Sequence, residues 1–442
     1  MTKSKVNVLT IYTQNNIRIF FFTNISIFEY CFVFLQPQIQ KNMDINPELL
    51  YRNSHRNVSQ VSLNFKRELH NKINWEARII GIKGPKGVGK STLLKQHIKE
   101  AFPDDSHVLY VSLDNMWFAN NSLADLVEYH YTHGGTHLFL DEVHKYEHWQ
   151  TYIKNIYDDY PSLHVVFTGS SMLKLNKGEG DLSRRVAMYT MNGLSFREYL
   201  MFENVLQYEK LSLDDILSHH VKIATDIAAQ IHVLPYLEQY YRHGYYPFYK
   251  EDLEGYHAKL LEVVQQTIET DIPSVEKVEY ATVQKLKKLL GIIALQVPFI
   301  PKMEDLYAQL ETSREQGLKL LDLLEKGAML GQLKTRAKAV KQMSSPEKLF
   351  LDNSNLMYAF NRHPEIGTIR ETFFHNQVGR VHELNAPQKG DFLIDGTHTV
   401  EVGGADKSFE QIKDLPDSYL AIDDVEFGRG NKIPLWLFGF LY

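Results

Sequence analysis

GPKGVGKST, residues 84 to 92, decides the fold. It fits the spacing G-x-x-x-x-G-K-[ST], with Gly84, then Pro85-Lys86-Gly87-Val88, then Gly89, Lys90 and Ser91, followed by Thr92. Arg78–Ile82 (RIIGI) before it is a short apolar run, and Ser91–Lys99 (STLLKQHIK) after it has helical character. A glycine-spaced loop between a strand and a helix is the context that makes this spacing a phosphate cradle. Glycines let the backbone reach positive φ and turn its N–H groups inward. The helix N-terminus adds partial positive charge at the same place. Lys90 is placed to reach β- and γ-phosphates, and the Ser91 hydroxyl to ligate Mg²⁺. The residues from Gly84 to Thr92 are therefore the expected nucleotide-binding set.

The second half of such a site is expected downstream. His137–Leu140 (HLFL) is an apolar run ending in Asp141 and Glu142. A strand that ends in two acids supplies a metal ligand and a base. Asp141 is expected to hold Mg²⁺, and Glu142 to polarise the attacking water. Leu163–Thr168 (LHVVFT) is the next strand, ending in Gly169-Ser170-Ser171. Thr168 or Ser170 is expected between the two halves of the site, and Ser170 is carried forward as the catalytic candidate. After the loop KGEG comes Asp181-Leu182-Ser183-Arg184-Arg185. A guanidinium beside the γ-phosphate stabilises transition-state charge. Arg185, with Arg184 next to it, is expected to do this, in cis or from a neighbouring copy.

The stretches GPKGVGKST, LFLDEVHKYEHWQ, VVFTGSSMLKL, DLSRR, GLSFREYL and GYYPF together resemble a family of bacterial and archaeal AAA-superfamily ATPases. The resemblance covers roughly residues 50–442, closely in the first part and loosely at the C-terminus. It implies a P-loop domain, a winged-helix region, and a C-terminal domain similar to restriction-endonuclease-like folds. It also implies Lys90, Ser91, Asp141 and Glu142 as nucleotide and Mg²⁺ residues, and Arg185 as an arginine sensor or finger. It supplies no substrate.

Composition bounds the rest. A chain of 442 residues is long for one core, so two or three domains are expected. Its 44% hydrophobic and 23% charged residues are those of a globular protein, and a net charge of −6 excludes a nucleic-acid-binding polycation. The single cysteine, Cys31, excludes a disulfide framework within one chain and fits a cytoplasmic location. Residues 1–42 differ from the remainder. Ile19–Phe28 and Cys31–Leu35 are apolar, yet Asn24 and Glu29 interrupt them, and a membrane span needs about 20 apolar residues. These residues are read as a non-native or disordered extension, with Met43 as the natural start and a weak membrane anchor as the alternative. Asn46 and Pro47 then mark a helix start.

The expected architecture is α/β: a P-loop NTPase parallel sheet over 43–195, a helical lid over 196–275, a winged helix over 276–347 and a nuclease-like α/β domain over 348–442. In the lid, the aromatics around Tyr236–His243 and Gly244-Tyr245-Tyr246-Pro247 are read as core rather than as base-stacking platforms. Thr282–Leu295, Met303–Leu310 and a third helix opened by a Thr312–Glu315 capping box spell a helix-turn-helix. Met329–Leu333 and Leu349–Leu351 are its strands, and Lys334–Lys341 (KTRAKAVK) its wing. Arg314 and Lys319 are then placed to face duplex DNA, although Glu315, Asp322 and Glu325 on the same helix oppose a phosphate surface. Module-only packing between domains is the alternative.

In the C-terminal part, Glu371 is read as opening a helix. Asp391 and Glu401 are expected on neighbouring strands, Gly390–Ile394 and Thr399–Val402, joined by Asp395-Gly396. Such a layout binds Mg²⁺ in nucleases of the PD-(D/E)xK type, but the lysine slot two residues after Glu401 holds Gly403. Lys407 is the candidate substitute, and nuclease activity is not expected. Leu435–Tyr442 (LWLFGFLY) is read as a buried strand. The expected function is Mg²⁺-dependent ATP hydrolysis coupled to remodelling of DNA or a protein partner, in a homo-oligomer and without a membrane. The alternative is a nucleotide-dependent signalling switch with little turnover.

Overall fold

The computed structural model describes residues 7–13, 16–22, 46–103, 106–172, 182–296, 300–339 and 344–442. Contacts divide the chain into two units, Met1–Leu49 and Leu50–Tyr442. In the first, strands β1 (Asn7–Thr13) and β2 (Asn16–Phe22) pair antiparallel. This strand pair lies in the segment read from the sequence as a non-native or disordered extension; Cys31 and Met43 lie outside the described residues. Asn46 Oδ1 accepts the Glu48 N–H at 3.0 Å, as its reading as a helix cap requires. Among the described residues no helix is long and apolar enough to cross a membrane.

The second unit is built on five parallel strands: β3 (Ile79–Lys83), β4 (Val108–Ser112), β5 (His137–Asp141), β6 (His164–Gly169) and β7 (Ala187–Thr190), in the order β4-β5-β6-β3-β7. Side chains alternate across a strand. On β5, Leu138 and Leu140 join one apolar cluster with the helices Leu123–Thr132 and Trp149–Asp159, while Phe139 joins another with the helix Lys90–Ala101. Near-continuous apolar strands are the mark of a sheet covered on both faces. This is the P-loop NTPase fold. Its order puts β6 between the phosphate-loop strand β3 and the acid-bearing strand β5, so the end of β6 faces both.

Beyond the sheet the chain is helical from Phe196 to Glu276. Tyr240, Tyr241, Tyr245, Tyr246, Tyr249 and Tyr256 are all buried there, which is core packing rather than an exposed stacking surface. The helices Tyr280–Gln296, Met303–Gln309 and Arg314–Lys326 follow, then β8 (Leu330–Leu333) and β9 (Lys348–Leu351), paired antiparallel. The cap of the third helix is Ser313, whose Oγ accepts the Gln316 N–H at 3.3 Å. It is not Thr312; that hydroxyl instead bonds the Gln316 side chain at 2.9 Å. Where a wing was expected, Arg336–Ala339 form a short helix, and residues 340–341 lie outside the described residues. Strand β9 crosses the expected boundary at 347/348 by pairing with β8.

The C-terminal part holds a mixed sheet, β10 (Leu384–Asn385), β11 (Phe392–Ile394), β12 (His398–Gly403), β13 (Ser418–Ile422) and β14 (Lys432–Pro434), in that order. The first two pairings are antiparallel and the last two parallel. Asp395 (φ 49°) and Gly396 (φ 70°) make the tight turn between β11 and β12. The helix here begins at Ile366, so Glu371 sits in its middle and does not open it. Leu435–Phe440 is a buried 3-10 helix, not a strand: there it fills the space between the helices Phe196–Phe202, Leu213–Ala228 and Ile366–Gly379. The Tyr442 carbonyl accepts from Ser195 Oγ at 2.6 Å and Arg197 Nε at 3.1 Å. One apolar cluster therefore runs from the sheet, through the helical region, to Leu441.

Candidate functional site

The phosphate loop leaves β3 at Lys83 and enters the helix at Lys90. Gly87 (φ 85°) and Gly89 (φ 99°) take the left-handed backbone that the turn needs. Gly87 has a second reason to lack a side chain, since a Cβ there would stand 2.7 Å from the Phe248 ring. The loop borders a cavity of about 890 Å³ lined by Lys86, Gly87, Val88, Gly89, Lys90, Ser91 and Thr92 together with Asp141 and Glu142. That volume suits a nucleotide-sized ligand. Gly84 and Pro85 do not line it. Their carbonyls each accept a hydrogen bond from Lys90 Nζ at 2.9 Å. Burial pulls the Lys90 ammonium down from its usual range, opposed by the Glu142 and Asp141 carboxylates.

Asp141 closes β5, buried beside β6 and β4. Its Oδ2 accepts from the Tyr110 hydroxyl at 2.7 Å, and its Oδ1 from the Thr168 hydroxyl. Burial and then Asp141 push the ionisation of the Tyr110 phenol up. The residues expected to ligate Mg²⁺ are Ser91 and Asp141. Those two are oxygen donors, the type Mg²⁺ takes while keeping waters and substrate oxygens. Among the described residues no group of three His, Cys, Asp or Glu forms a metal site.

Glu142 has φ 56°, a conformation uncommon for a residue with a side chain. Its N–H is held by Thr168 Oγ1 at 3.1 Å. Thr168 therefore touches both acids. Ser170, carried forward from the sequence, does not line the cavity. Its N–H points to His144 Nδ1 at 3.3 Å, and its Oγ accepts the Met172 N–H at 3.4 Å. The strand end explains the difference: Thr168 is still within β6 beside β5, whereas Ser170 lies past the end of β6.

Arg185 is not brought to this cavity either. It precedes β7, which runs beside and parallel to β3, so it sits at the opposite end of the strands, a strand length or about 15 Å from the loop. There it pairs with Asp158 at 3.3 Å and lies over the Tyr157 ring. A cis contact with the phosphates is thereby set aside. Arg184 is exposed beside it. The loop KGEG and Asp181 lie outside the described residues.

Sequence reasoning missed the walls of the site. Phe65, Phe202, Pro247 and Phe248 line the cavity. Arg67 is buried and donates to the Val88 carbonyl at 2.9 Å, to the Asn192 and Gly193 carbonyls, and to Glu198. Burial opposes ionisation of Glu198, but Arg67 outweighs it and holds the carboxyl below its usual range. Glu198 also closes the capping box on Ser195. The segments GLSFREYL and GYYPF meet here, since the Tyr245 ring covers Gly193 and the Tyr245 carbonyl accepts the Leu194 N–H at 2.8 Å. The signal for this in the sequence was the motif pair itself, without a register.

The C-terminal acids form a second cluster. Lys348 pairs with Glu371 and stands 4.0 Å from Asp391. Asp391 Oδ2 accepts the Val402 N–H at 2.9 Å. The Lys407 side chain lies across Gly403 and its ammonium meets Glu401 Oε1 at 2.5 Å. Lys407 thus occupies the place that a lysine at 403 would fill. On the third helix of the preceding module, Arg314 and Lys319 are exposed, as are Glu315 and Glu325, and Lys326 pairs with Asp322.

Residues 76–200 match the family model of an AAA domain. An uncharacterized protein of Methanocaldococcus jannaschii is 29% identical over 291 residues, which is 62% of this chain and 61% of that protein. The chain thus spans less than two thirds of the length of that curated relative. Among solved structures, the Aeropyrum pernix Orc1 protein in complex with DNA is similar at 11% identity and a TM-score of 0.28, over 73% of this chain and 93% of that one. DnaA from Aquifex aeolicus bound to AMPPCP is similar at 14% identity and a TM-score of 0.25, over 64% and 93%. The sheet and its loop lie within the residues that match the AAA domain model.

Proposed function

We propose that the chain binds ATP with Mg²⁺ in the cavity between Lys86–Thr92 and Asp141–Glu142 and hydrolyses it. The observation that carries this reading is the convergence of Lys90, Ser91, Asp141 and Glu142 on one cavity from two strands separated by β6. Loop amides and Lys90 hold the triphosphate, so Lys90 exchanges the two loop carbonyls for phosphate oxygens. Ser91 and Asp141 would hold Mg²⁺, which would supply charge neutralisation at the phosphates. Glu142 accepts a proton from water as the water oxygen bonds to the γ-phosphorus. The bond to the βγ-bridging oxygen breaks, and ADP leaves. An arginine contact to the γ-phosphate, by Arg185 of a neighbouring copy, completes the site in a homo-oligomer.

Hydrolysis is coupled in this reading to remodelling of duplex DNA or of a protein partner in the cytoplasm. Exposed Arg314 and Lys319 support DNA contact to backbone phosphates. Such binding weakens steeply between about 50 and 200 mM salt, and a flat response rejects it. The second reading is a signalling switch with little turnover. The left-handed Glu142, with the buried His144 Nε2 only 3.5 Å from its carboxylate, supports it, because a base that this N–H captures hydrolyses slowly. Steady-state ATPase rates with and without DNA decide between the two. Lys90→Ala abolishes nucleotide binding or turnover, and Glu142→Gln keeps binding while lowering turnover by about 100-fold or more. Wild-type turnover in Glu142→Gln removes Glu142 from the mechanism.

A further inference from the structure

After the two acids and Val143 come His144 and Lys145; Lys145 borders the cavity, and both approach an acid of the helical region. Asp271 comes from there, at the end of the wide turn Thr267–Asp271, a π-type element of the sort that re-aims a side chain. It is 4% exposed. Its Oδ1 accepts from Lys145 Nζ at 2.9 Å and stands 3.6 Å from His144 Nε2. The same Nε2 stands 3.5 Å from Glu142 Oε2. The His144 ring is buried, and its Nδ1 accepts the Ser170 N–H. With that nitrogen accepting, the ring proton is on Nε2, between two carboxylates. Neither is within hydrogen-bond distance, so Nε2 is buried without a partner. Lys86 of the phosphate loop bonds Gln266, which joins the loop to the helix that leads into the same turn.

We propose that Asp271 is a positioning residue for Glu142, acting through His144, so that docking of the Tyr256–Glu276 segment sets whether the hydrolytic base is free. This rests on the ATP-hydrolysis reading of the cavity. With Asp271 in place, its carboxylate at 3.6 Å competes with Glu142 at 3.5 Å for the Nε2–H, no hydrogen bond to Glu142 forms, and the Glu142 carboxylate is left to accept from water. With Asp271 withdrawn, the N–H closes the 3.5 Å gap to Glu142 and occupies the lone pair that catalysis needs. Less than an ångström of movement of the turn separates the two arrangements, a scale that packed elements amplify into discrete states.

The test is a double-mutant comparison on the full chain with MgATP. Asp271→Asn lowers kcat about tenfold or more while the ATP KM and the affinity for a non-hydrolysable ATP analogue change less than about threefold. In a His144→Leu background, which removes the N–H, the same Asp271→Asn substitution changes kcat less than about twofold. An equal loss from Asp271→Asn in both backgrounds, or a loss carried by KM, overturns the proposal. Should Asp271→Asn not fold, Asp271→Glu keeps the charge, shifts the carboxylate by one methylene and is read the same way. Glu142→Gln is the control that separates the two claims. If it turns over like wild type, the hydrolysis reading fails. If it is inactive and Asp271→Asn has wild-type kcat, only the present inference fails.

Discussion

The nucleotide cavity and the acidic cluster of the C-terminal sheet both set carboxylates beside lysines, and they use them in opposite ways. In the cavity, Lys90 is bonded to backbone carbonyls of its own loop, and Asp141 to two hydroxyls. The charges are held by neutral dipoles and remain available to a ligand. In the C-terminal cluster, Lys348 already pairs with Glu371 and Lys407 with Glu401. Those charges cancel one another within the fold. Burial raises the Glu371 carboxyl, with Lys348 opposing it, so the fold itself disfavours more negative charge there. What distinguishes a ligand site from a structural cluster is who supplies the counter-charge.

The largest expected effect that tests this contrast lies in the structural pairs. Asp352 is buried and accepts from Arg380 at 2.7 and 2.8 Å, and Arg380 also bonds the Tyr245 hydroxyl at 3.0 Å. Asp352→Ala leaves a buried guanidinium unpaired and costs about 3–5 kcal/mol, read from urea unfolding. In the acidic cluster, Lys407→Met leaves Glu401 buried without its cation. We expect a loss of about 1–3 kcal/mol with ATP turnover unchanged. Loss of a divalent-ion-dependent activity instead would move the cluster to the ligand side of the comparison.

The smaller effect concerns pH. Burial alone would raise the Asp271 carboxyl, but His144 and Lys145 outweigh it and hold it at about 2 against an ordinary 3.8. A carboxyl lowered on folding contributes stability that is present above its unfolded value and lost as pH falls through the folded one. The contribution is about 2 kcal/mol, lost between about pH 4 and pH 2. Unfolding of Asp271→Asn measured across that window loses this part of the slope; an unchanged slope shows that Asp271 is not held by His144 and Lys145.

The loop from Gly84 to Thr92 and the acids at 141 and 142 were legible in the sequence because their chemistry is local. Glycines, a lysine and a hydroxyl must be adjacent for a loop to hold phosphates, and a strand can deliver two acids from its end. The parallel sheet was legible for the same reason, through apolar runs alternating with helical ones. What the sequence hid depends on contacts between distant residues. Thr168 rather than Ser170 joins the two acids because Thr168 is still paired within β6 beside β5, while Ser170 lies past the strand's end. Arg185 lies at the wrong end of the strands because β7 starts there. Asp271 reaches Lys145 from 126 positions away, and no local pattern marks it. Leu435–Phe440 is a 3-10 helix because its surroundings are helices, while its composition alone fits a buried strand equally well. The Ser313 cap was one residue from the expected one, since adjacent Thr and Ser offer the same hydroxyl.

The most direct measurement is retention of radiolabelled MgATP after rapid gel filtration of wild type, Lys90→Ala and Glu142→Gln. A cavity that holds the triphosphate between the loop and the two acids predicts about one intact ATP per chain on Glu142→Gln, ADP from wild type and no nucleotide on Lys90→Ala. ATP held by Lys90→Ala as well as by wild type, or ADP released from Glu142→Gln at the wild-type rate, contradicts it.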